Sequence, residues 1–233
     1  MEPREIHNRL ADAIIERPVS FSVNGERMFL YPATLGKIYL TASILDSLSL
    51  IQEALKEDIY AESLRVCKKH RNEVARLIAL YTVRTREDHF DDSLISGRAA
   101  SLAELDDEEL ATLLVMVLTM DVSDELISAY GIDKERDTVR RIVRYKSEKG
   151  SLSFCGRTIY GTMIDSACER YGWTLDYVVW GISFTNLKMM TADATVSMYL
   201  SPDDQRKLHV SADREVIDAT DPKNFEKIRQ ILE

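Results

Sequence analysis

"VSFSVNGERMFLYPATLGKIYL", residues 19–40, changes its hydrophobic period halfway along. In the first half Asn24-Gly25 separates two alternating runs, and Asn-Gly accepts the positive φ angles of a two-residue type I′ turn. That turn pairs Val23 with Glu26, Phe21 with Met28 and Val19 with Leu30, which makes one hairpin face apolar. Ser20, Ser22 and Arg27 fall on the other face with Phe29. A two-stranded ribbon is marginal by itself, so the hairpin should lie on a helical body. After "YPAT" the spacing becomes helical through Leu35, Ile38, Tyr39, Ala42, Leu45 and Leu48 or Ser49, with Thr34 as the N-cap.

Helical spacing predicts two further helices over residues 59–70 and 72–82, the second marked by Val74, Leu77, Ile78 and Tyr81. Residues 84–104 read as polar and irregular. Asp106 then caps a helix whose reciprocal capping-box position is Glu109. The apolar run "LATLLVMVLTM", residues 110–120, is about half the length needed to cross a bilayer and reads as a buried helix. A short helix over 126–130 closes at Gly131, and a basic helix follows. "GSLSFCG", residues 150–156, breaks both periods and marks a boundary. The expected architecture is therefore mainly α. A β-hairpin and helical bundle fill residues 1–149, residues 150–156 form a linker, and a smaller helical unit occupies 157–233, with helices over 158–171, 174–180, 183–199 and 225–232.

With 30 basic and 39 acidic residues the formal charge is -9, which favours solubility and repels phosphate backbones. Nucleic-acid binding is not expected. Arg140, Arg141, Arg144, Lys146 and Lys149 form a local basic stretch that suits a solvated helix C-terminus. Cys67, Cys155 and Cys168 show no CxxC spacing, so neither a disulfide framework nor a zinc knuckle is indicated, and a reducing, cytoplasmic compartment fits. The N-terminal "MEPREIHNRLADAII" carries charges where a signal peptide needs its apolar centre.

The candidate chemistry is sparse. Cys67 and His70 stand at helical i, i+3 spacing and could meet as a thiol and a base, yet nothing nearby suggests an oxyanion hole. "GRTIYGTMID" lacks the Lys-Ser/Thr of a phosphate loop. Asp165, Glu169, Asp176 and Asp193 match no hydrolase or metal spacing. No catalytic residue, cofactor or metal is expected.

"YGWTLDYVVWGISFTNLKMM", residues 171–190, holds both tryptophans. Trp173, Tyr177 and Trp180 recur at spacings of four and three, and Phe184, Leu187, Thr191, Ala194 and Met198 do so in the next helix. Two readings stand side by side. The stripes pack as ordinary core, or Trp173, Trp180, Phe184, Met189 and Met190 include a docking surface, since aromatics dominate binding hot spots and Met repacks around varied partners. Phe184 lies on the seam, whereas Met189 and Met190 fall off it and are the better candidates for exposure.

The order of N-terminal hairpin, "YPATLGKIYL" helix entry, acidic helical middle and closing "YGWTLDYVVWGIS…NLKMMTAD" resembles the tail assembly chaperones of long-tailed bacteriophages and prophages, above all those of gut Bacteroidetes elements. The likeness covers most of residues 19–200. It implies a non-catalytic chaperone in the bacterial host cytoplasm. Such a chaperone coats the tape measure protein until tail tube subunits polymerise around it, without ATP or membrane attachment, and homo-oligomers are possible. The alternatives are a structural or adaptor protein that stays in the particle, and a thiol enzyme using Cys67.

Overall fold

A computed structural model describes residues 3–148, 157–196 and 198–210. Packing divides the chain into two compact units, Met1–Ala194 and Thr195–Glu233. The first holds α1 (Pro3–Ile14), the strands β1 (Val19–Val23) and β2 (Glu26–Leu30), then α2 (Leu35–Ser47), α3 (Gln52–Glu57), α4 (Ile59–Lys69) and α5 (Arg71–Tyr81). Next come α6 (Arg86–His89), α7 (Asp92–Ala103), α8 (Asp107–Leu118), α9 (Ser123–Ala129) and α10 (Ile132–Glu148). A π-helical turn, Tyr160–Ile164, runs into α11 (Asp165–Tyr171), and a second, Tyr177–Gly181, precedes α12 (Phe184–Ala192). In the second unit the one described helix is α13 (Pro202–Leu208), entered through the Ser201 cap with Pro202 in its first turn.

The fold is mainly α with one antiparallel hairpin, and the hairpin has the register that Asn24-Gly25 requires: Val19 opposite Leu30, Phe21 opposite Met28, Val23 opposite Glu26. Asn24 and Gly25 both have positive φ, 51° and 82°, as a type I′ turn demands. Val23, Met28 and Leu30 are buried against a core built from α4, α5, α7 and α8. Helix α5 is its axis, with Val74, Ala75 and the whole run from Leu77 to Tyr81 buried. Each fully buried Leu or Val here contributes roughly 1.5–3 kcal/mol.

Local chemistry fixes the helix ends. Thr34 accepts from the Lys37 amide at 3.3 Å. Asp106 accepts from the Glu109 amide at 2.8 Å while the Glu109 carboxylate accepts from the Asp106 amide at 3.4 Å, the reciprocal capping box. Gly131 and Gly172 take the left-handed conformation after α9 and α11. Arg71 ties α5 to the entry of α8, donating to the carbonyls of Ala103 and Leu105 and pairing with Asp107.

Several elements differ from expectation. Residues 84–104 are helical, not irregular: Thr85 and Asp91 cap α6 and α7 through the amides of Asp88 and Leu94. Only Ile95 and Leu102 of α7 are fully buried, and half-buried Arg98 and Ala99 lie between them on that face, so few large apolar side chains mark it. Leu35, Gly36, Lys37 and Thr41 are the buried residues of α2, with Leu48 buried at its C-cap, so the apolar spacing holds at Leu35 and Leu48 and fails at Tyr39 and Ala42, which face out. The helix expected over 183–199 stops at Ala192, ahead of β-branched Thr195 and Val196. Helices α1 and α3 add turns whose apolar spacing is short.

The boundary expected at residues 150–156 lies outside the described residues, as does the helix expected over 225–232. Residues 157–194 belong to the same compact unit as residues 3–148. A backbone bridge joins Thr34 to Ser183, and the Phe184 amide donates to the Ala33 carbonyl. Leu35 of α2 is itself buried in the apolar cluster formed by residues 159–190.

Candidate functional site

The Thr34–Ser183 bridge brings the aromatic stretch 171–190 against the start of α2. Trp180 is the contact. Its indole lies over Gly36, with the His89 ring at 5.3 Å and the Phe90 ring at 5.8 Å. On one side of Trp180 opens a groove of about 620 Å³, walled by Leu35, Leu40, Ile159 and Val179, with no charged residue in its lining. Its rim carries Tyr39, Phe90 and Tyr160, each more than 60 % exposed. Exposed aromatics clustered around an apolar groove are the usual mark of a binding surface.

The five residues singled out in the sequence are all half-buried. Trp173, Phe184 and Met190 pack on the cluster around Ile164, Val178 and Leu187, and Met189 packs on a separate cluster of Ile127, Ile132 and Ala192. Trp173 stacks at 4.6 Å on Tyr171, whose hydroxyl donates to the Met190 carbonyl. Among the five, Trp180 alone lines the groove. The aromatics on its rim come instead from α2, the end of α6 and residue 160, three segments that no single sequence stripe connects.

A smaller cavity of about 150 Å³ also borders Trp180, lined by Glu16, Tyr31, Thr34, Lys37, Arg84 and Ser183. Lys37 is 1 % exposed. Its Nζ donates to the carbonyls of Tyr31 at 3.4 Å and Val83 at 3.3 Å and sits 5.1 Å from the Tyr81 ring centroid. Burial without a carboxylate partner pushes its pKa from 10.5 down to about 7. The neighbouring His89 has Nδ1 at 2.6 Å from the Thr85 carbonyl, so that nitrogen carries the proton. Its Nε2 is buried without a partner among the described residues. Burial, and to a lesser extent the Lys37 charge, hold its pKa down. The sequence reading missed Lys37. Its signal is the i, i+4, i+11 placement with Thr41 and Leu48, which puts a lysine on the inner face of α2.

Cys67 is fully buried, and burial together with the nearby Asp107 charge pushes its thiol up to about 11. A neutral thiol in that setting is a poor nucleophile. His70 follows α4 as its cap residue, with Nε2 buried and unpaired among the described residues. Asp165, Glu169, Asp176 and Asp193 do not assemble, and no group of three metal-ligating side chains occurs among the described residues. Asp176 instead pairs with Arg86 at 3.0 Å. Arg140, Arg141 and Arg144 are exposed along α10, and Arg140 pairs with Asp137. No described helix is long and apolar enough to cross a membrane. Comparisons with family models, curated proteins and solved structures find no match to this chain.

Proposed function

We propose that this chain is a non-catalytic tail assembly chaperone of phage or prophage type that holds an apolar helical segment of a tape measure protein in the groove beside Trp180. The observation that carries the reading is the rim of that groove. Tyr39, Phe90 and Tyr160 expose large aromatic faces around an uncharged trough, at an area cost that a soluble protein tolerates when a partner covers it. An amphipathic helix laid in such a trough would bury its apolar stripe there, a recurrent mode of helix recognition. The acidic balance of the chain, net -9, would keep the complex soluble.

The test is co-expression with a candidate tape measure protein, a very long helical protein encoded by a neighbouring gene if one is present. The unaltered chain should keep that protein soluble and co-purify with it. The double variant Tyr39→Ser, Tyr160→Ser should fold normally and release it to the insoluble fraction. Equal capture by the variant would remove the groove from the account. Absence of the chain from finished particles separates a chaperone from an adaptor that remains in them at fixed copy number.

A further inference from the structure

The 150 Å³ cavity beside Lys37 goes beyond the docking reading, because it is polar where the groove is apolar. Two cations reach it. Lys37 is buried and Arg84 is exposed, and neither forms an ion pair among the described residues. Lys37 spends two of its three donors on the carbonyls of Tyr31 and Val83, at the long end of hydrogen-bond distance. Lys37 also lies in the first turn of α2, at the positive helix end, and that turn contains no acidic residue.

The one carboxylate on the cavity wall is Glu16, held in place by neutral donors and keeping its charge. Its Oε1 accepts from the Ser183 amide at 2.7 Å and from Asn186 Nδ2 at 3.3 Å. The other groups around Lys37 are the Tyr81 ring and His89, neither of which supplies negative charge near neutral pH. Two cations against one carboxylate leave the cavity wall with one positive charge in excess, beside a helix N-terminus. Ile15, Pro18, Pro32 and Trp180 line the rest of it with apolar surface.

We infer that this cavity binds a short aliphatic carboxylate, with its oxygens on Lys37 Nζ and Arg84 and its hydrocarbon portion against Trp180 and Pro32. The apolar wall selects a carboxylate over a phosphate, which would leave charged oxygens facing hydrocarbon. The carboxylate can come from a free small acid or from an acidic side chain of a bound polypeptide.

Thermal unfolding of the full chain at constant ionic strength tests this with butyrate as the free acid, N-acetyl-glutamate amide as the side-chain source, and phosphate and chloride as controls. Butyrate should raise the midpoint saturably at pH 6. A comparable rise with the glutamate derivative would identify a side chain as an acceptable source, and no rise with it would restrict the site to free acids. Binding requires the lysine charge, so apparent affinity should fall about tenfold per pH unit above pH 7. Arg84→Gln, at an exposed position, should keep the fold and weaken butyrate at least tenfold, and Lys37→Met should abolish the saturable shift. If Lys37→Met does not fold, Arg84→Gln decides the matter. A butyrate response no larger than that of chloride or phosphate, or one unchanged in Arg84→Gln, overturns the site.

Discussion

The indole of Trp180 occupies the space that a side chain on Gly36 would need: a Cβ there would stand 2.7 Å from Cδ2 and 2.8 Å from Cε2 and Cε3. The ring is braced by His89 and Phe90, so it cannot swing aside without giving up those contacts. Replacing glycine by alanine inside a helix ordinarily gains about 1 kcal/mol. Overpacking against a held ring costs about 1–3 kcal/mol. Gly36→Ala should therefore lose about 1 kcal/mol net and shift the tryptophan emission, as read by denaturant titration. A stabilised variant would show that the ring moves freely.

Lys37 sets a pH dependence. Its folded pKa of about 7 lies below the unfolded value of 10.5, so between those limits the unfolded chain binds more protons and stability rises with pH. Below pH 7 the full charging penalty applies, on the order of 5 kcal/mol at about 1.4 kcal/mol per unit. His89 adds to the loss as pH falls below 6.5, because its folded pKa is also depressed. Lys37→Met should flatten the rise between pH 7 and 10 in denaturant titrations without added carboxylates. A parental profile that is flat over that window would mean the ammonium is solvated.

The buried thiol of Cys67 makes a third expectation. With no exposure and a pKa near 11, it should resist alkylation at pH 8 until the protein unfolds, whereas half-buried Cys168 should label before it. Peptide mass mapping of a timed iodoacetamide reaction reads this directly. Rapid labelling of Cys67 in the folded protein would reopen the thiol-enzyme reading.

What the sequence disclosed follows from where the information is local. The Asn24-Gly25 turn dictates its own register, and the Asp106–Glu109 box needs only four residues, so both were legible. Helix α7 was not, because between its buried Ile95 and Leu102 the inner face carries Arg98 and Ala99, which signal no apolar stripe. Lys37 was hidden for the opposite reason: a charged residue inside "TLGKIYL" reads as solvent-facing until α5 and Val83 close over it. The groove rim draws Tyr39, Phe90 and Tyr160 from distant parts of the chain, and no spacing rule joins them.

Fragments should behave unequally. The main core uses residues 21–120 alone, whereas the cluster formed by residues 159–190 is small and completed by Leu35 of α2. A chain of residues 1–149 should unfold cooperatively, and one of residues 157–194 should lack fixed tertiary structure. Circular dichroism and denaturant titration of the two fragments check this. A cooperative transition in 157–194 would show that this segment folds without α2.

Met189 and Met190 pack on two different apolar clusters from one helix. Adjacent residues on α12 point to different places, Met189 to Ile127, Ile132 and Ala192, and Met190 to the cluster of Ile164, Val178 and Leu187. Both are half-buried, so exchanging either thioether for an amide gives up part of the roughly 1.5–3 kcal/mol that full burial provides and leaves a polar group partly dry. Met189→Gln and Met190→Gln should each cost about 1 kcal/mol. Because they touch different clusters, the double variant should lose the sum within about 0.5 kcal/mol. Tyr39→Ser and Tyr160→Ser, at positions more than 60 % exposed, should stay within about 0.5 kcal/mol of the parent. Denaturant titration of the five proteins measures the contrast. Near-neutral Met variants would put those side chains back among the surface candidates, and costly Tyr variants would make the groove rim part of the core.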